Sequence, residues 1–502
     1  MNIFIKVLLC FFVPGVWASD FSSKEIQEEL NSYLGESSLP VNTLYPKKDN
    51  RGKIIRDTGG IFSSDEVLTT EFVKQKLNSR RVMSADYFYS EPERNDNPRA
   101  LIEGDAYTDS ILEMEKHGLQ KGEVYNKPWS DDYWPHHKGG PAARYNDDKF
   151  PNSSEWNENF DYVSKNPFYI VFESSVRTSI DNLSPAEKYD LLVNEKSGSL
   201  TKALWEEGEY YYKAHGKVEA WMGICHGWAA ASYMSPRPKK AIEVLAFDGK
   251  TKIKFFPDDI KALQSLLWAN TRTQTLFAGE RCNDRNPPLD ENGRPKKSEC
   301  RDSNPATWHN TIVNRVGLSK QSFVLDATFD YQVWNQPIIK YSYSYFNPQT
   351  MKVAKLDEAR IDVANFPNDK FAKHRSREAS SIVGVTMQVT YGVETSPTHS
   401  ESDVPENDLS RTVLYVYDLE LDSNGNILGG EWYKTPHPDF LWTPTKDAKA
   451  LAKNDYYLLG QPNWDGKSAL SDAWKKHAEE AAVRSQPLAK ILNSLVEISN
   501  KH

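Results

Sequence analysis

Apolar residues recur at helical spacing through the middle of the chain and identify a helical part. Ser184, Pro185 and Glu187 form an N-cap, a first-position proline and a capping box, followed by the apolar residues of a helix. Further helices are predicted over 201–212 and 257–271, where apolar side chains return every three or four residues. None of these helices carries residues with obvious chemistry, so they are predicted to build the core.

Beyond residue 305 the pattern changes to the alternation that is typical of strands. The predicted strands are 308–315 and 322–325, joined in a hairpin by a turn at 317–320, then 381–393, and a second hairpin of 411–421 with 427–433. Two amphipathic helices, 472–483 and 488–498, follow at the end of the chain. This order of elements predicts an α+β fold.

The first residues have the pattern of a secretory signal. Lys6 precedes an apolar run over 7–17, and Val16-Trp17-Ala18 ends in a small residue that is typical of a cleavage site. The run is too short to span a membrane, and no later segment is long enough. Residues 1–18 are therefore predicted to be a signal peptide, and the mature protein is expected to be exported and soluble, either extracellular or periplasmic.

The mature chain divides into two regions by composition. Residues 19–126 are polar and irregular, with one predicted helix over 64–77, and are a candidate pro-segment. Residues 127–502 form the predicted catalytic region, with a helical part at about 180–275, a sheet part at about 305–435 and C-terminal helices at 468–500. Its first stretch, 127–141, mixes aromatic residues with proline and glycine and predicts an extended arm laid across another surface.

Charge excludes several classes of partner. The 502 residues carry a net charge of −9 and no strong basic patch, which argues against binding to nucleic acid or to an anionic membrane. Calcium is considered only as a stabiliser of the acidic loops at 290–291 and 422–426, neither of which has the full EF-hand spacing. No cofactor is expected to be required, and no metal site is predicted.

Four cysteines give an odd number after the signal peptide is removed. Cys10 leaves with the signal, and Cys282 and Cys300 flank a polar, proline-rich loop. In an oxidising compartment these two are expected to form a disulfide, worth on the order of 3 kcal/mol. Cys225 is then the free thiol, and an unpaired cysteine in an exported protein is either fully buried or used.

The surroundings of Cys225 are those of a nucleophile. A glycine and Ile224 precede it, small residues that favour a helix follow, and Pro236 stops that helix. A thiol in the first turn feels the partial positive charge of the helix terminus, which favours the thiolate and lowers its pKa. The alternative is an inert cysteine packed among Trp221, Met222 and Trp228.

The hairpin predicted at 308–325 supplies partners for this thiol. His309 lies at the start of its first strand and Asp326 at the end of the second, so antiparallel pairing would bring them side by side. Asp326 would then hold the imidazole while its other nitrogen meets the sulfur, which gives a Cys225–His309–Asp326 triad. His226 is a rival base, but it points about 100° away from Cys225 on the same helix.

Downstream of Asp326 the sequence resembles a known family. Val333, Trp334, Asn335, Gln336 and Pro337 form the peptide Val-Trp-Asn-Gln-Pro, which is similar to the surface peptide of the oomycete transglutaminase elicitors. The resemblance spans 127 to the C-terminus and implies a secreted protein-glutamine γ-glutamyltransferase within the transglutaminase and papain-like cysteine superfamily. It implies a core in which a helix bearing the cysteine packs on an antiparallel sheet carrying histidine and aspartate.

The resemblance also implies a reaction and its partners. The thiol would attack protein-bound glutamine, release ammonia and form a thioester, which a lysine amine converts to an isopeptide crosslink. The partners would be proteins carrying glutamine and lysine side chains. Two alternatives remain: a cysteine protease, amidase or deamidase with the same triad, and a non-catalytic surface recognition protein that displays 333–337.

The sequence departs from the superfamily around the nucleophile. His226 stands where many relatives have tryptophan, and Glu219 stands where the papain-like branch often has a glutamine that donates to the oxyanion. The backbone N–H of Cys225 is one predicted oxyanion donor, and the indole of Trp221 is a guess for the second. A second pair, His437 and Asp439, lies in a proline-rich loop and is predicted to be structural.

Overall fold

A computed structural model of the chain describes residues 20–34, 60–63, 96–104, 106–279, 284, 287–289, 295–297, 300, 303–328, 332–433 and 437–501. The predicted signal peptide and the predicted helix at 64–77 lie outside these residues.

The helices are concentrated between residues 156 and 312 and at the C-terminus. They are α1 Ser23–Ser32, α2 Ile111–Lys116, α3 Trp156–Lys165, α4 Phe168–Glu173, α5 Arg177–Asp181, α6 Pro185–Val193, α7 Ser199–His215, α8 Cys225–Met234, α9 Pro257–Asn270, α10 Pro305–Ile312, α11 Leu356–Ala359, α12 Asp472–Ala482 and α13 Ala489–Lys501. A π-helical turn, Val313–Leu318, continues α10.

The strands lie mostly in the second half of the chain. They are β1 Gly60–Ser63, β2 Lys121–Glu123, β3 Ile242–Leu245, β4 Lys252–Phe255, β5 Gln274–Gly279, β6 Val324–Asp326, β7 Asn335–Asn347, β8 Lys352–Val353, β9 Ile361–Asp362, β10 Ser381–Gly392, β11 Ser410–Leu421, β12 Ile427–Trp432 and β13 Phe440–Pro444.

One large antiparallel sheet organises the described residues. Its main path runs β1, β5, β13, β6, β7, β10, β11, β12, with β2 and β8 added to β7 and β9 added to β10. Strands β3 and β4 pair separately. The mixed fold of helices and antiparallel sheet agrees with the predicted class.

Two apolar clusters hold these elements together. The first joins the helices, with Trp228 of α8, Leu263 of α9 and Leu495 of α13 all fully buried. The second lies against the sheet, where Trp308 of α10 packs edge-on against Tyr415 of β11. The short β6 and β13 lie between the two clusters, with Val324 in one and Leu325 in the other. This junction is also where α8 meets β7.

Most of the predicted elements form. The capping box of Ser184 and Glu187 starts α6, and α7, α9, α12 and α13 begin and end within a few residues of their predicted bounds. The strand predicted at 381–393 is β10, and the hairpin of β11 and β12 pairs as expected. None of the described helices is long and apolar enough to cross a membrane.

The hairpin predicted at 308–325 is wrong. Residues 305–312 form α10, followed directly by the π-helical turn, and only β6 remains as a strand. Asn304 caps α10 by accepting from the N–H of Ala306 at 2.9 Å, and Pro305 takes the first helical position. Every residue of α10 is buried, so no polar face marks it as a helix in the sequence.

The arm predicted at 127–141 does lie across another surface. Trp129 and Trp134 are buried, and the carbonyl of Trp129 accepts from the indole N–H of Trp228 in α8 at 3.0 Å. The carbonyl of Tyr133 accepts from the N–H of Ile224 at 2.8 Å, immediately before α8 begins. The arm therefore packs along the helix that carries Cys225.

Candidate active site

Cys225 is the first residue of α8, where the sequence predicts it. The N–H groups of Gly227 and Trp228 both bond the carbonyl of Ile224, which fixes the first turn of the helix. At this first position the N–H of Cys225 has no intrahelical acceptor, as required of an oxyanion donor. Gly227 allows α8 to pack closely against α9, because a Cβ at this position would lie 2.2 Å from the carbonyl oxygen of Ser265.

The thiol of Cys225 is free and buried, with 4% of the residue exposed. Its Sγ lies 3.7 Å from the carbonyl oxygen of Val333, to which the S–H donates. The side-chain Nδ2 of Asn335 donates to the same sulfur at 3.4 Å. Both partners precede or begin β7, so this strand and α8 together hold the thiol.

Burial raises the pKa of the Cys225 thiol to about 11, although the side-chain and backbone N–H groups of Asn335 act in the opposite direction. The negative charges of Glu394 and Asp326 raise it further. The expected lowered pKa is not found in this conformation, because loss of water around the sulfur outweighs the donors. The thiol is neutral here at pH 7.

His309 lies in α10 and not on a strand, and it is fully buried. Its Nδ1 lies 2.8 Å from the hydroxyl oxygen of Tyr417 in β11, and its ring meets Tyr343 of β7 edge-on. Its Nε2 has no hydrogen-bond partner among the described residues. Burial lowers the pKa of His309 to about 3, so the imidazole is neutral. The described hydrogen bonds do not join it to Cys225.

Asp326 ends β6, directly opposite Asn335 in the register with β7. Its Oδ1 accepts from the N–H of Trp334 at 2.9 Å and from the N–H and hydroxyl of Thr328 at 3.2 and 2.9 Å. This carboxylate therefore binds Thr328 after β6 and Trp334 before β7. The structure brings Cys225 and Asp326 to one place, whereas His309 lies in the core of the sheet; the catalytic roles of all three stay predictions.

The peptide of residues 333–337 is a wall of this site and is mostly buried. Val333 is 1% exposed, Asn335 0% and Gln336 4%; Pro337 is buried and Trp334 half-buried. The expectation that these residues form a displayed surface peptide is therefore not met in the fold described. Their contact with Cys225 gives the peptide a structural connection to the thiol.

Aromatic side chains close the site. The ring of Tyr133, in the wrapping arm, lies 5.5 Å from the ring of Trp334. The same residue approaches Gly223, where a Cβ would lie 2.4 Å from the Tyr133 carbonyl oxygen. Tyr133 thus connects the segment before Cys225 to the segment before Asn335.

Comparison with known proteins decides the family. The profile of the transglutaminase elicitor family matches residues 101–455. The chain belongs to the transglutaminase elicitor family. A crystal structure of the GP42 transglutaminase from Phytophthora sojae is similar at 19% sequence identity and a TM-score of 0.46, covering 76% of this chain and 99% of that one. No curated protein matches the chain.

In this member of the transglutaminase elicitor family, Trp221 and His226 bind groups other than the sulfur of Cys225. The indole of Trp221, guessed as an oxyanion donor, gives its N–H to Glu219 at 2.6 Å. His226 is buried against the backbone of Ala269, and burial lowers its pKa to about 4. It therefore points towards α9, as the helical geometry predicts.

The second histidine and aspartate pair lies in the core. His437 stacks on Trp432 at 4.9 Å, and the carbonyl of Asp439 accepts from the N–H of Ser303 at 2.9 Å. Both residues are buried, which fits the predicted structural role. They anchor the chain between β12 and β13, next to the N-terminus of α10.

The disulfide stays a prediction. Cys282 lies outside the described residues, whereas Cys300 is buried.

Of the two acidic loops considered for calcium, 290–291 lies outside the described residues. At 422–426 both carboxylate oxygens of Asp422 bind their own turn, through the N–H groups of Asn424 and Asn426 and the side chain of Asn426.

Two residues that bind the walls of the site were not predicted from the sequence. Glu394 accepts from Gln336 Nε2 at 2.8 Å, and burial raises its pKa to about 7. Trp442 of β13 donates its indole N–H to Asn335 Oδ1 at 2.7 Å. Neither position has a local signal in the sequence; a tryptophan inside a short buried strand is the most that could have been noticed.

Proposed function

We propose that this protein is a secreted acyltransferase that crosslinks protein glutamine to lysine through a thioester on Cys225. The observation that carries the proposal is the placement of a free thiol at the first position of α8, in contact with the elicitor-like peptide 333–337. Membership of the transglutaminase elicitor family supports the choice of glutamine as acyl donor.

The reaction has two steps. The Cys225 thiolate attacks the carbonyl carbon of a glutamine carboxamide, and the tetrahedral intermediate collapses with release of its nitrogen as ammonia after protonation. A lysine amine then attacks the thioester carbon, loses a proton and expels the thiolate, which leaves an isopeptide bond. The N–H of Cys225 is the proposed donor to the oxyanion in both steps.

The closed state of the site favours transfer over hydrolysis. Cys225 is 4% exposed. The rings of Tyr133 and Trp334, which belong to the wrapping arm and to the segment before β7, lie 5.5 Å apart beside it. Exclusion of water protects a thioester until an amine enters. Because the thiol is buried in this conformation, glutamine binding would accompany an opening between these two aromatic side chains.

Incorporation of a fluorescent primary amine into a glutamine-bearing protein tests the proposal. The full chain should attach the label, and Cys225→Ala should lose this activity completely while keeping its thermal unfolding midpoint. Ser232→Ala, a change in the same helix, is the matched control for the fold and should retain labelling. Peptide fragments without attached label would identify a protease, and ammonia release without label would identify a deamidase.

A further inference from the structure

Asn335 places its side-chain amide against the sulfur of Cys225, and its backbone N–H also favours the thiolate. Its Nδ2 lies 3.4 Å from Sγ, and the backbone N–H acts on the thiol in the same sense as the side chain. Asn335 itself is fully buried, so its polar groups depend on protein partners. A thiolate held by two N–H donors would have part of its hydration replaced.

The register of β6 and β7 explains why the backbone N–H is available. Ala327 donates to the carbonyl of Trp334 and Ile338 donates to the carbonyl of Phe323, both at 2.9 Å. These bonds alternate along the ladder, so Asn335 and its partner Asp326 form a pair without mutual hydrogen bonds. The N–H of Asn335 therefore points away from β6, towards α8.

Trp442 determines which end of the Asn335 amide meets the sulfur. Its indole N–H, which can only donate, lies 2.7 Å from Oδ1 of Asn335. The oxygen must accept this bond, so Nδ2 is turned to Cys225. Trp442 is 2% exposed on β13, where its ring has little freedom to move.

The neighbouring carboxylates and the other predicted site residues do not suit this task. Glu394 and Asp326 are acceptors when ionised, and their charges oppose a thiolate. Trp221 gives its N–H to Glu219, and His309 lies beside Tyr417 in the core of the sheet. The carbonyl of Val333 accepts from the neutral S–H and would repel a negative sulfur.

We propose that Asn335 is a catalytic residue that holds the Cys225 thiolate with its backbone and side-chain N–H groups, and that Trp442 is the positioning residue for its amide. This inference rests on the proposed function, because it names groups of that same site. It assigns to the elicitor-like peptide a direct part in the chemistry of the thiol.

The test is the pH dependence of iodoacetamide alkylation at Cys225, followed by mass spectrometry on the full chain. Asn335→Leu removes the side-chain donor without adding charge. Its alkylation rate at pH 7.5 should fall at least about tenfold, and the midpoint of the pH profile should rise, as expected when a charged group loses a hydrogen bond. Cys225→Ala gives the background from other cysteines.

Trp442→Phe is the second variant and keeps an aromatic ring in the core. It touches no reacting atom, yet it should also raise the midpoint, because the amide is then free to turn its oxygen to the sulfur. Thr386→Val, a buried change in β10, is the control and should leave the profile unchanged. A folded Asn335→Leu or Trp442→Phe protein with the wild-type rate and midpoint overturns the proposal.

The same measurement separates this inference from the proposed function. Alkylation requires no glutamine and no amine, so a shifted profile supports the role of Asn335 even in a protein that transfers nothing. Conversely, unchanged profiles in a protein that incorporates the fluorescent amine would reject Asn335 and leave the acyltransferase standing.

Discussion

His309 and Tyr417 form a hydrogen-bonded pair in the core of the sheet, with His309 Nδ1 at 2.8 Å from the Tyr417 hydroxyl. The same hydroxyl donates to the sulfur of Met387 at 3.7 Å, so it accepts from the Nδ1–H of His309, and the three groups form a short buried network. These are contacts of a residue packed in the core, and no described hydrogen bond joins His309 to Cys225, so its role as general base stays a prediction.

The first prediction concerns His309→Gln. We expect a loss of about 2 kcal/mol in the free energy of unfolding, because the variant disturbs a buried hydrogen bond. The amine-transfer rate per folded molecule should stay within about tenfold of wild type, whereas removal of a general base typically costs a hundredfold or more. Urea unfolding and the labelling assay measure the two quantities.

Tyr417→Phe is the matched control, since it removes the other half of the same hydrogen bond. It should destabilise the protein by a similar amount and transfer amine normally. A drop of more than a hundredfold in His309→Gln alone, at unchanged stability, would restore His309 as the general base that the sequence predicts.

The wrong strand prediction around His309 shows where sequence reasoning fails. Thr311, Ile312 and Val313 are β-branched and suggest a strand, but Asn304 and Pro305 give a capping signal that starts a helix. Since α10 is buried on all sides, its sequence has no helical period to outweigh the β-branched run. Where a polar face exists, as in α12 and α13, the predicted bounds are close.

At the site, too, features that are local in the sequence could be predicted, whereas contacts between distant residues could not. Cys225 could be chosen as a candidate because its glycine and its helix are local features and the cysteine count is read directly from the sequence. Cys225 contacts Asn335, which lies 110 positions further along the chain, and Asn335 in turn binds Trp442, a further 107 positions away. Such contacts depend on the order of strands in the sheet, which hydrophobic patterns do not determine.

The second prediction concerns the closure of the site by Tyr133. Tyr133→Ala removes the ring that contacts Trp334, a contact worth about 1 kcal/mol. Cys225 should therefore react with iodoacetamide roughly fivefold faster at a fixed pH. Tyr125→Ala is the control, because Tyr125 is 89% exposed and lies outside the site. An unchanged rate in Tyr133→Ala would mean that this contact does not limit access.

The third prediction concerns the contact between α8 and α9. A methyl group at Gly227 would lie 2.2 Å from the carbonyl oxygen of Ser265 and 2.6 Å from Cβ of Ala269. Gly227→Ala should therefore push the helices apart and cost roughly 3 kcal/mol, measured by urea unfolding. It should also reduce amine transfer, because Cys225 moves with α8.

Gly216→Ala separates this steric effect from the loss of a glycine as such. Gly216 has a φ of +72°, and a methyl group there would meet no heavy atom within 4 Å, so the cost should come from backbone strain alone, about 1 kcal/mol. Equal losses in the two variants would show that the α8–α9 contact tolerates a methyl group.

The last prediction concerns Glu394. Burial raises the pKa of this carboxyl group from 4.5 to about 7. The folded protein holds this proton more tightly than the unfolded chain does. The contribution of Glu394 to stability should therefore decline as the pH rises from 4.5 to 7, by no more than about 3 kcal/mol because the side chain is only half-buried. Glu394→Gln should lack this part of the pH dependence.

The same substitution should change the reactivity of the thiol in the opposite sense to Asn335→Leu. The charge of Glu394 raises the pKa of Cys225, so Glu394→Gln should lower the midpoint of the alkylation profile. Glu406→Gln, at an exposed carboxylate, should leave both the stability profile and the alkylation profile as they are. A midpoint that stays the same or rises in Glu394→Gln would show that its charge does not act on the sulfur, and burial and the charge of Asp326 would then oppose Asn335.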